Sequence, residues 1–126
     1  MNAKEIKNVS VLQPIERYKY FIKKVADYEE LWTIVDVNGD YALSDIDDKT
    51  LISFWSAKEF INSNLEEGWK ECTPKKLTLD DLEDEIFDLI ASKNYLIDVF
   101  PVNGKSGFVV DLDEFARDLS EELKNY

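Results

Sequence analysis

A chain of 126 residues with a formal net charge of −12 has the size of one compact domain and the surface of a polyanion. With 44% apolar and 13% aromatic residues it can build a core, and no apolar run approaches the ~20 residues that span a bilayer. The same charge disfavours phosphate backbones and anionic lipid, so neither nucleic acid nor a membrane is an expected partner.

The charge is uneven. Residues 1–24 hold Lys4, Lys7, Arg17, Lys19, Lys23 and Lys24 against Glu5 and Glu16, a local +4 that leaves −16 for the rest. Met1 to Lys7 show no apolar stretch leading to a small-residue cleavage site, and the single Cys72 can form no internal disulfide. The expectation is a cytoplasmic protein.

In chain order, residues 1–13 show no sustained period and read as a flexible arm, and residues 14–126 as one domain. From Pro14, a residue tolerated in a first helical turn, Ile15, Tyr18, Ile22, Val25 and Ala26 give one helical face to about residue 28. Arg17, Lys19, Lys23 and Lys24 fall largely outside it and read as a solvated basic face. Two β-leaning segments, 31–37 and 40–46, flank Asn38-Gly39, which predicts a hairpin with a type I′ turn. A third strand, 50–55, follows Asp47-Asp48-Lys49 and completes a meander. Ser56 and Glu59 have capping-box spacing ahead of a short helix through Phe60, Ile61 and Leu65, which Gly68 would stop.

Residues 69–77 look extended, with Pro74 restricting them to an edge strand or a link. Thr78 and Asp81 then predict a capped helix buried through Leu82, Ile86, Leu89 and Ile90. Residues 95–100 and 108–110 form a second hairpin around Asn103-Gly104, and Asp111 with Glu114 opens a last helix buried through Leu112, Phe115, Ala116, Leu119 and Leu123. The predicted fold is α+β, in the order α-βββ-α-(β)-α-ββ-α: a mainly antiparallel, hairpin-rich sheet with helices packed on one face.

No catalytic constellation is visible. The chain has no histidine, and its many exposed carboxylates nominate no pair for general acid-base work. Zinc would lack Cys and His ligands. Asp36, Asn38 and Asp40 alternate like the start of a calcium loop, but glycine stands at position four instead of six and Asp47 at position twelve, so the hairpin reading is preferred. The four glycines form no phosphate cradle. No catalytic residue, cofactor or metal is therefore assigned.

The most distinctive segment is 78–88, where Asp80, Asp81, Asp84 and Asp88 lie opposite the buried stripe. Acids in a first turn also suit the helix dipole, so part of this enrichment is helix stabilisation. Phe87 falls more than ~100° from the stripe centre on an ideal wheel, where it would be either a partner anchor or a side chain covered by another element.

Arg17-Tyr18-Lys19-Tyr20-Phe21 with Val25-Ala26-Asp27, Glu30-Leu31-Trp32, and Phe54-Trp55 before Ser56-Ala57-Lys58-Glu59 form a recognisable series. With Trp69, Pro74 to Leu77, Val99-Phe100-Pro101 and the closing helix 111–123, they resemble a family of small bacterial proteins known only as domain of unknown function 2750. The resemblance covers about residues 14–124 and departs at Ser56, where that family's pattern suggests proline. It implies no activity, ligand or catalytic residue. A looser likeness to the serine-sensitivity enhancer family rests on Leu51 to Phe60.

The preferred reading is a non-enzymatic protein-binding module, such as an immunity or inhibitor protein masking a basic partner, for instance a toxin. Its contacts would be Asp80, Asp81, Asp84, Phe87 and Asp88, with Asp45, Asp47 and Asp48 as a second patch. The alternative is a small-ligand-binding or catalytic domain with a pocket lined by Trp32, Trp55, Trp69 and Tyr95. Both a monomer and a homodimer are compatible with the sequence.

Overall fold

The computed structural model describes residues 2–64 and 69–126. Helices α1 (Ala3–Ser10) and α2 (Pro14–Tyr28) lead into strands β1 (Glu30–Val35), β2 (Leu43–Ile46) and β3 (Lys49–Phe54). Then come α3 (Lys58–Asn64), β4 (Thr73–Thr78) and a composite helix: α4 (Leu79–Asp81), a π turn (Leu82–Ile86) and α5 (Phe87–Lys93). Strands β5 (Leu96–Val99) and β6 (Phe108–Val110) and helix α6 (Leu112–Leu123) complete an α+β fold. The expected burial of Leu65 and the stop at Gly68 lie outside the described residues. Among the described residues no helix is long and apolar enough to cross a membrane.

The arm expected over residues 1–13 is largely helical. Asn2 caps α1 by accepting the Glu5 N–H at 2.8 Å, and Val9 is buried while Ile6 packs against the core. Two apolar contacts are too few to establish a period in the sequence.

The strand pairing also departs from a meander. β1 pairs antiparallel with β4 in a two-stranded sheet, and a four-stranded sheet runs β2-β3-β5-β6. Of the first hairpin a short stem survives: Val35 bridges Tyr41, and the Asp36 and Ala42 N–H groups donate to the Asp40 and Ile34 carbonyls at 2.8 and 3.0 Å. Its turn is not type I′, since Gly39 has φ 85 but Asn38 is not left-handed. The Asp36 carboxylate holds this loop by accepting the Asn38 and Asp40 N–H groups at 2.9 and 3.1 Å. Beyond it the chain changes sheets, and reciprocal 2.8 Å backbone bonds between Trp32 and Trp55 join the two. The second hairpin forms as predicted, with Asn103 and Gly104 both left-handed (φ 51 and 74).

β3 and β5 pair in parallel, joined by a crossover through α3, β4 and the composite helix. Consecutive residues Leu51, Ile52, Ser53 and Phe54 are all buried, so the central strands are covered on both faces, not one. Pro74 sits on β4, whose only strand partner among the described residues is β1, as an edge position requires. The Ser56–Glu59 capping box does not form with Ser56 as its acceptor: the Ser56 hydroxyl is buried without a hydrogen-bond partner among the described residues.

Arg17 is the largest correction to the solvated basic face. It is 4% exposed, its Nε donates to the Phe100 carbonyl at 3.1 Å, and its Nη1 donates to the Leu12 carbonyl. Burial lowers its pKa, and the nearby Asp98 carboxylate pulls it back up. Asp98, 3% exposed, also accepts the Gly107 N–H at 2.7 Å. A Cβ at Gly107 would lie 1.9 Å from the Val99 carbonyl oxygen, so only glycine fits this close backbone approach.

Two substitutions test this hub by urea unfolding. Arg17→Ala should cost about 3 kcal/mol, because it leaves buried acceptors and a carboxylate without their cation. Gly107→Ala should cost about 2 kcal/mol or more, because the obstructing atoms are backbone and cannot turn aside.

Candidate functional site

The acidic helix starts where the sequence places it. Thr78 accepts the Asp81 N–H at 3.1 Å and Asp81 accepts the Thr78 N–H at 2.9 Å, a complete capping box. One turn later the Phe87 N–H reaches the Leu82 carbonyl, five residues back, which defines the π turn. The extra residue retards the helix by about 100° relative to an ideal wheel. Leu82, Ile86 and Ile90 remain buried, and Phe87 is brought round against α6, its ring edge-on to Phe115 at 6.3 Å. Phe87 is therefore half-buried and packed against α6, the second of the two placements the sequence left open.

The carboxylates divide by role. Asp81 belongs to the cap, which leaves Asp80, Asp84 and Asp88 exposed, with Glu83 and Glu85 beside them. Glu85 accepts from the Tyr41 hydroxyl at 3.2 Å. In the other patch, Asp45 accepts the Thr50 hydroxyl at 3.0 Å, and Asp47 takes φ 56 at the tip of the β2–β3 hairpin beside Asp48. Among the described residues, no lysine or arginine forms an ion pair with Asp80, Asp84, Asp88, Asp45, Asp47 or Asp48.

Of the four aromatics expected to line one pocket, Trp32, Trp55, Trp69 and Tyr95, Trp55 belongs to the core. Trp55 is 2% exposed, donates its indole N–H to the Pro101 carbonyl at 3.0 Å, and has Trp69 edge-on at 6.3 Å. Trp32 lines a surface groove, of about 470 Å³, between α2, β1 and the start of α3. Its other aromatic walls are Tyr20 and Tyr28. Lys24 lies between these two, its Nζ 5.6 Å from the Tyr20 ring centre and 5.5 Å from that of Tyr28. On the opposite side, the Lys58 Nζ stands 5.9 Å from the Trp32 ring.

Glu5 closes one end of the groove, accepting the Tyr20 hydroxyl at 2.6 Å and pairing with Lys24 at 3.9 Å. Burial, then the Glu5 carboxylate, raises the Tyr20 pKa, so the phenol stays a donor. Glu30 and Glu59 complete the charged lining. The sequence signal for this wall was available: Tyr20, Lys24 and Tyr28 recur every fourth residue on α2 and so share one helical face. At the far side of Tyr28 and Glu30 a second depression, of about 380 Å³, runs to Thr78, Leu79 and Asp80. The groove and the start of the acidic helix are thus neighbours on one surface. The burial of Cys72, together with Asp36 and Glu71 nearby, raises its thiol pKa, the opposite of an activated nucleophile.

Phe87→Ala should lose about 2 kcal/mol of unfolding free energy, the signature of a packed side chain. Hydrogen bonds from the Thr78 N–H and hydroxyl hold the Asp81 carboxyl below its ordinary 3.8. Its charge therefore stabilises the cap fully above that pH and progressively less as pH falls through the lowered value. The destabilisation caused by Asp81→Asn should shrink below pH 3.8 in acid titrations monitored by unfolding.

No curated protein matches the chain. Residues 18–119 match a family of proteins of unknown function. With its capped acidic helix and aromatic groove inside that span, the chain belongs to the DUF2750 family.

Proposed function

We propose that this protein is a non-enzymatic binding module whose acidic exterior meets a basic protein partner. The observation carrying the reading is that Asp80, Asp84 and Asp88 are exposed on one helix with no internal ion pair among the described residues. A chain of net charge −12 concentrates cations around such a face, accelerating encounter with a basic surface and making it salt-sensitive. An immunity or inhibitor role, in which this face masks a basic toxin, is the specific form of the proposal. A toxin gene immediately upstream would support that form.

The test is triple charge reversal, Asp80→Lys with Asp84→Lys and Asp88→Lys, leaving Asp81 to its cap. Binding to a basic protein retained by the wild-type chain from its host extract should weaken roughly tenfold and lose much of its salt dependence. Equal retention of that protein by the triple variant removes this face from the binding surface.

A further inference from the structure

We propose that the groove between α2, β1 and α3 receives a cationic side chain, arginine or lysine, from the basic partner. The inference rests on the preceding reading that the partner is basic, and adds the place where it inserts. Three aromatic rings, those of Tyr20, Tyr28 and Trp32, line one groove of about 470 Å³. Ammonium groups already lie close to all three, supplied by the chain's own Lys24 and Lys58. Ring faces attract cations electrostatically, and these two flexible lysines mark where an incoming cation gains most.

The carboxylates of Glu5, Glu30 and Glu59 line the same groove as the two lysines, so an incoming cation meets acceptors beside the rings. Ser56 borders the same groove, 9% exposed, with a hydroxyl that has no hydrogen-bond partner among the described residues. Tyr28 is 61% exposed and has the area to bury that Phe87, packed against α6, lacks. Continuity fixes the partner class. Tyr28 and Glu30 also line the depression that reaches Asp80, so a basic surface over the acidic helix extends directly to the groove. An anionic ligand is disfavoured, because Lys24 already pairs with Glu5 at 3.9 Å and the chain carries −12.

The experiment titrates the full chain with N-acetyl-arginine methylamide, and in parallel with its neutral citrulline counterpart, following the Trp32 indole and Tyr28 ring signals by NMR. The arginine probe should shift both signals to saturation, and the citrulline probe should leave them unmoved. Tyr28→Ala should weaken the response about fivefold, while Lys24→Gln, which removes the internal competitor and releases Glu5, should strengthen it about threefold. Signals distant from the groove verify that each variant is folded. Equal responses to both probes, or shifts confined to the Asp84 and Asp88 face, overturn the proposal. So does inorganic phosphate moving the Trp32 signal in a way that Lys24→Gln abolishes.

The two readings fail separately. A groove indifferent to arginine, with charge reversal still blocking the partner, overturns the groove alone. A groove that binds arginine while the reversed helix still holds the partner overturns the acidic face alone.

Discussion

A guanidinium group that cannot reach water must find its partners inside the protein, and the partners of Arg17 lie on two segments far apart in sequence. Its hydrogen bonds run to Leu12, just ahead of α2, and to Phe100, just beyond β5. Phe100 is held left-handed at φ 65, a conformation costly for a bulky side chain, and its N–H is taken by the Phe54 carbonyl. Pro101 is fixed by the Trp55 indole and Gly107 by Asp98. The Phe100 ring then meets Phe60 and Tyr20 at centroid distances of 4.6 and 6.3 Å. Through that contact, the buried cation sets the floor on which the groove's Tyr20 rests.

Local chemistry was legible in the sequence wherever a few adjacent residues decide the outcome. Thr78 with Asp81 and Asp111 with Glu114 cap their helices as the spacing implies, and Asn103-Gly104 supplies the two left-handed residues its hairpin needs. Strand partnership was not legible, because the alternation within β1 is equally compatible with β2 or β4 as neighbour. Nor does Leu51 to Phe54 reveal a parallel partner, although its nearly continuous apolar run is what burial on both faces demands. Nor does helical phase reveal that Arg17 is buried, because its acceptors, the Leu12 and Phe100 carbonyls, are brought to it only by the fold.

The candidate site divides along the same line. Exposure of Asp80 and Asp84 follows from helical phase ahead of the inserted residue, and Asp88, beyond it, is exposed as well. Phe87 lies beyond the π turn, whose inserted residue breaks the ideal phase, and no wheel could place it. Trp32 lines the groove, whereas Trp55 and Trp69 sit in or against the core. Its companions in the groove, Tyr20 and Tyr28, come from α2, the helix immediately before its strand, and stand eight residues apart with Lys24 midway between them.

The Trp32–Trp55 seam has a spectroscopic corollary. Trp69 stands edge-on to Trp55, so all three indoles are gathered where the two-stranded and four-stranded sheets meet. Intrinsic emission from this chain is accordingly a gauge of that junction rather than of the whole molecule, and is nearly blind to α6. A transition that parts the sheets while leaving the helices wound would change the emission ahead of far-ultraviolet dichroism, giving two non-coincident curves from one folded domain.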